Sequence, residues 1–148
     1  MAVDELYKEI ILDHYKQPRN KRELPGAALT CSANNPLCGD EITVYANIEG
    51  GAVTEIAFTG AGCSISQSSA SMMTEAIAGK GVGETRKLTS DFRAMMAGEL
   101  EPDEDEFGDL VALKGVVKYP IRIKCAVLAW DTLQEALDDG QASGSAAH

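Results

Sequence analysis

The stretch from Glu41 to Thr59 limits the possible fold more than any other part of the chain. Ile42, Val44, Ala46 and Ile48 alternate with Thr43, Tyr45 and Asn47, the two-residue period of a strand buried on one face. Glu49-Gly50-Gly51 then supplies a glycine turn, and Ala52 to Thr59 is a second run rich in β-branched and aromatic residues. The two runs predict an antiparallel hairpin, to which Ala27 to Ser32 adds a third strand. A sheet this small with one apolar face needs helices to cover it. The predicted fold is therefore α+β, about three antiparallel strands with helices packed on one face.

The helices are announced by their own spacing. Val3, Leu6, Tyr7, Ile10, Ile11 and His14 fall on one face of a helix that ends before Pro18. Serines and other small residues from Ser64 to Ala78 predict a second helix, able to pack closely, beginning just after Cys63. Thr89-Ser90-Asp91 reads as the start of a short third helix carrying Phe92, Met95 and Met96, which Gly98 stops. Glu99 to Asp109 is crowded with acids around Pro102 and Gly108, so an exposed loop is expected there. Pro120 suits the first position of a last helix running to about Asp138. The small, polar residues 140–148 are expected to be a disordered tail. At 148 residues the length suits one domain, placed at 1–139, with an acidic insertion near 99–113.

Charge narrows the partners. The formal net charge of -10 makes a broad attraction to nucleic acid or to anionic lipid a poor expectation. The opening MAVDELYKEI lacks the basic and apolar regions of a secretory signal, and no apolar stretch approaches the ~18 residues of a membrane span. The expectation is a cytoplasmic protein, where the 4 cysteines serve metal binding or reactivity before disulfides.

Three of those cysteines occupy informative places. In Asn35-Pro36-Leu37-Cys38-Gly39-Asp40 a turn composition sets a thiol and a carboxylate two residues apart, and Gly39 lets the chain bend so that both converge. Cys63 follows a glycine-rich run at a helix start, where the dipole favours an anionic sulfur. Cys125 lies early in the last helix, on one stripe with Ile121, Leu128 and Thr132, and is flanked by Arg122 and Lys124, which favour an anionic sulfur. Cys38, Asp40, Cys63 and Cys125 together make a complete tetrahedral set for zinc, and the same set suits iron. Cys31, in the expected first strand, competes with Asp40 for the fourth place, although an ordinary strand residue is the plainer reading. His14 on an apolar helix face reads as a core histidine rather than a ligand or base. Met72, Met73, Met95 and Met96 read as core filler or a soft contact surface.

Three blocks in order, NPLCGD at 35–40, GAGCSISQSSASMM at 60–73 and YPIRIKCAVLAW at 119–130, closely resemble the U-type iron-sulfur cluster assembly proteins over roughly residues 3 to 138. Within them the chain looks like the SufU branch rather than the IscU scaffold branch. Lys124 stands where the scaffold branch has a histidine before the last cysteine. Gly115 to Pro120 replaces the scaffold's LPPVK chaperone motif, and residues 98–113 resemble the SufU insertion.

The resemblance implies a zinc-dependent sulfurtransferase. It would accept persulfide sulfur from a SufS-type cysteine desulfurase, stimulate that enzyme, and pass the sulfur to the SufBCD machinery. Carried over, Cys38, Asp40, Cys63 and Cys125 are the zinc ligands, Cys38 is the accepting thiol, and Arg122 is a nearby arginine that steadies an anionic persulfide or reaches the partner. In that family the desulfurase lends a histidine to zinc and displaces the accepting cysteine. The alternative is a scaffold on which a [2Fe-2S] cluster is assembled and transferred, with iron or the cluster in place of zinc. The oligomeric state is left open.

Overall fold

A computed structural model describes the backbone of residues 3–36 and 39–146. Helix α1 (Val3–Lys16) leads into strands β1 (Leu29–Asn35), β2 (Asp40–Glu49) and β3 (Ala52–Ala61). Helices α2 (Ser64–Ile77) and α3 (Val82–Met96), the short α4 (Glu104–Phe107), a 3-10 run (Gly108–Lys118) and α5 (Pro120–Ala146) complete the chain. The sheet is antiparallel in the order β1-β2-β3, as the alternation predicts. Gly50 and Gly51 both have positive φ, at 60° and 77°, the conformation a tight hairpin between right-twisted strands requires.

Strand β1 is displaced from the expected Ala27–Ser32 toward the site. Leu29, Cys31, Ala33 and Asn35 pair with Ala46, Val44, Ile42 and Asp40 of β2. The alternating partial burial of β1 puts these four on the face the helices cover. α5 crosses β1 and β2 on this face, and α2 packs against β3, α1 and α5. The small side chains of α2 permit that central position, since Ser66, Ser68, Ser69, Ala70 and Ser71 are all buried. Phe92 of α3 stacks on Trp130 of α5 with ring centroids 4.5 Å apart. The four methionines named above are buried in the same core cluster.

Three expectations need correction. Thr89-Ser90-Asp91 does not open a helix but lies within α3. Gly81 caps that helix, with its amide donating to Glu84 Oε1, while Thr89 Oγ1 turns back to donate to the Thr85 carbonyl. The acidic segment 99–109 is largely exposed as expected, but Glu104–Phe107 forms a helical turn in it and Phe107 is buried. Phe107, Leu110, Leu113 and Val116 recur every third residue, the period of the 3-10 run, and all four are buried. Lastly, α5 continues past Asp138 to Ala146, through most of the expected disordered tail. Extending an established helix costs far less than starting one, so α5 runs on through Gly140 and Gly144 despite their low helix propensity.

Candidate metal centre

The end of the sheet where β1 and β2 are joined is also where β3 leaves for α2. Asp40 opens β2, and Cys63 is the N-terminal cap residue of α2. Cys125 lies in the second turn of α5. Residues far apart in the chain thus bring one carboxylate oxygen and two sulfurs within 4.8 Å of one another. Asp40 and Cys125 are fully buried, whereas Cys63 is partly exposed. Cys38 lies outside the described residues, so its place relative to the other three is not part of this geometry.

Close approach of the backbone holds the group together. The Cys63 amide donates to Asp40 Oδ1 at 2.8 Å, and Cys63 Sγ lies 3.8 Å from Asp40 Oδ2. That approach requires Gly62. A Cβ there would stand 2.3 Å from Asp40 Oδ1 and 2.8 Å from Asp40 Cα, and φ is +146°. On the other side Asn35 Nδ2 points at Cys125 Sγ from 3.8 Å. Ser69 then fixes α5 against α2, donating to the Ala126 carbonyl at 2.6 Å while accepting from Trp130 Nε1 at 3.2 Å. It thereby sets the distance between the helices that carry Cys63 and Cys125.

The donor chemistry fits a thiophilic cation such as zinc or iron. Two sulfurs and a carboxylate would hold it, and an ion of this class adopts the geometry its ligands impose. Cys31 does not join the described group, in keeping with its reading as a strand residue. Asn35 is the contributor that sequence reading passed over. Its position in a turn-like string gave no hint that its amide faces a thiol ninety residues away.

Arg122 is exposed at the start of α5 and lines an open cavity of about 400 Å³ beside Ser64 and Ile65, the two residues after Cys63. Ile11, Val116 and Tyr119 give this cavity apolar walls, and Lys8 and Lys118 join Arg122 on it. A chain of net charge -10 therefore places three cations beside the start of α2.

A three-stranded antiparallel sheet under helices, with two cysteine sulfurs and a carboxylate gathered at one end, defines a candidate metal-binding domain. Residues 6–126 match the family described as NifU-like N terminal domain, and the chain belongs to that family. It is 44% identical over 135 residues to the zinc-dependent sulfurtransferase SufU of Bacillus subtilis, covering 91% of each chain. It is also 40% identical over 135 residues to the iron-sulfur cluster assembly scaffold protein IscU of Streptococcus pyogenes, covering 91% of this chain and 84% of that one. A candidate iron-sulfur cluster assembly scaffold protein for the SUF system from Fervidobacterium islandicum superposes with a TM-score of 0.83 at 35% identity. That match covers 90% of this chain and 97% of the other. The protein is thus a SufU-like member of the U-type iron-sulfur cluster assembly proteins.

Proposed function

We propose that this protein is a zinc-dependent sulfur carrier of the cytoplasm. It takes persulfide sulfur from a SufS-type cysteine desulfurase, stimulates that enzyme, and delivers the sulfur to a SufBCD-type assembly complex. The observation that carries the reading is the convergence of Asp40, Cys63 and Cys125 at the end of the sheet, two residues along the chain from Cys38. Zinc bound there would keep the cysteine ligands deprotonated.

The chemistry itself belongs to the chain. Cys38 attacks the outer sulfur of the desulfurase persulfide, and the sulfur-sulfur bond of that persulfide breaks. Its electron pair leaves with the desulfurase cysteine thiolate, while a new sulfur-sulfur bond forms on Cys38, so no external oxidant or reductant is needed. Cys63 and Cys125 are less suited to this step. One caps a helix fastened to Asp40, and the other is fully buried. We assign to Arg122, exposed on the cavity beside Ser64, the role of meeting an anionic persulfide or the partner's surface.

The scaffold reading remains the alternative, supported by the IscU relatives. Lys124 weighs against it, since an exposed lysine stands where a further ligand would be wanted. Metal analysis of the purified protein, combined with a desulfurase assay with and without it, separates the two. About one zinc per chain together with a stimulated desulfurase is the expected result. A stable visible chromophore that transfers intact to an apoprotein would establish the scaffold instead.

A further inference from the structure

A second convergence of metal-ligand side chains lies where α1, α2 and the 3-10 run meet. His14, Glu75 and Asp109 each place one donor atom within 4.8 Å of the other two. His14 is fully buried. Its Nε2 is 3.0 Å from Asp109 Oδ2 and 3.8 Å from Glu75 Oε1, and its Nδ1 is 2.8 Å from Ser71 Oγ. The two carboxylates are about half exposed, at 50% and 54%. Both line an open cavity of about 330 Å³ shared with Asp105, Glu106 and Lys80. The buried imidazole thus meets two carboxylates that open onto a cavity it does not itself line.

We propose that His14 Nε2, Glu75 and Asp109 form a binding site for one divalent first-row cation, distinct from the thiolate centre. One imidazole and two carboxylates are hard to borderline donors, suited to Mn²⁺, Fe²⁺ or Zn²⁺. Ligand atoms about 2.1 Å from a shared cation stand roughly 3.0–3.4 Å from each other. The His14 and Asp109 atoms already meet that spacing, and Glu75 Oε1 is 3.8 Å from His14 Nε2, about half an ångström beyond it.

Ser71 supplies what a metal-ligating histidine needs on its other nitrogen. Its Oγ already accepts the Arg19 amide at 2.8 Å and has a second lone pair. Without a cation, His14 is hydrogen-bonded to Ser71 Oγ through Nδ1 and to Asp109 Oδ2 through Nε2. With one, the ring takes its proton at Nδ1, donates to Ser71, and turns the Nε2 lone pair on the cation. Arg19 and Lys80 are the opposing charges. Arg19 Nε stands 3.9 Å from Glu75 Oε2, but its guanidinium is engaged 2.7 Å from Asp13, so its hold on Glu75 is long and weak.

Mn²⁺ tests the site, because this hard ion prefers oxygen and nitrogen to thiolates. It is titrated into the zinc-loaded full chain while amide resonances are followed by NMR. The expected result is saturable broadening confined to the surroundings of His14, Ser71, Glu75 and Asp109. Glu75→Gln and Asp109→Asn should each weaken it by about tenfold or more, Asp105→Asn should leave it nearly unchanged, and Arg19→Gln should strengthen it. Should Asp109→Asn unfold the protein, Glu75→Gln decides alone, since Glu75 stands 3.8 Å from His14 and is no part of that hydrogen bond. Absent broadening, broadening spread evenly over the acidic segment, or parent-like binding by Glu75→Gln overturns the proposal and leaves His14 and Asp109 as a structural clasp only.

Discussion

Asp40 Oδ1 accepts the backbone amide of Cys63 at 2.8 Å, so the carboxylate of the metal corner is oriented by the residue that supplies its neighbouring thiol. One carboxylate oxygen organises the backbone, and the other accepts from Cys63 Sγ at 3.8 Å and is the oxygen that would meet an ion in the proposed site.

Those two duties separate by substitution. Asp40→Asn keeps an acceptor for the Cys63 amide, so the fold should survive while zinc is held about tenfold or more weakly. Asp40→Ala also orphans the amide, adding about 1–3 kcal/mol of destabilisation. Cys31→Ser should keep full zinc. Metal analysis beside thermal melts reads all three, and zinc lost from Cys31→Ser but kept by both Asp40 variants would overturn the assignment.

Gly62→Ala forces a Cβ to 2.3 Å from Asp40 Oδ1 and should cost about 3 kcal/mol or more, with loss of zinc. Gly83, inside α3 with open space where a Cβ would go, is the control. Alanine there should stabilise by about 0.5–1 kcal/mol. Denaturant unfolding of both variants checks the contrast, and equal stabilities would mean that the close approach at Gly62 is not needed.

Cys38→Ser should abolish stimulation of the desulfurase while leaving the thermal melt near that of the parent. Arg122→Ala should weaken stimulation without abolishing it. Mass spectrometry after incubation with desulfurase and cysteine locates the added sulfur. Its appearance on Cys63 or Cys125 alone, with Cys38→Ser still active, refutes the role proposed for Cys38.

The acid limb of stability should depend on surface pairs. A hydrogen bond from Arg86 holds the Asp138 carboxyl below its ordinary 3.8, and Arg19 does the same for Asp13. A depressed carboxyl contributes stability that is complete above the ordinary value and is lost as pH falls through the folded one. The difference in melting temperature between the parent and Arg86→Gln should therefore be small but present near neutrality and shrink toward zero below 3.8. A difference that grows with acid would contradict the pairing.

Local signals made much of this molecule legible in its sequence. The hairpin could be read from alternation alone, and α1 from the spacing of its apolar face, because each pattern needs only neighbouring residues. Thr89 misled because a threonine that caps a helix and one that bonds back to the preceding turn look alike in sequence. The 3-10 run hid among acids, where a three-residue repeat of Phe107, Leu110, Leu113 and Val116 resembles neither a helix nor a strand. At the metal corner, Asp40 and Cys63 betrayed themselves by glycine-rich turns. Asn35 and the grouping of His14 with Glu75 and Asp109 did not, since the contacts that give these residues meaning are made by distant parts of the chain.

The chain's only tryptophan is fully buried, stacked on Phe92, and joined through Ser69 to the carbonyl of Ala126, next to Cys125. Its intrinsic fluorescence is therefore a built-in optical probe of the corner. Any shift of α5 against α2 when an ion leaves or a sulfur arrives changes the surroundings of one indole, and a stopped-flow instrument can time it without a label.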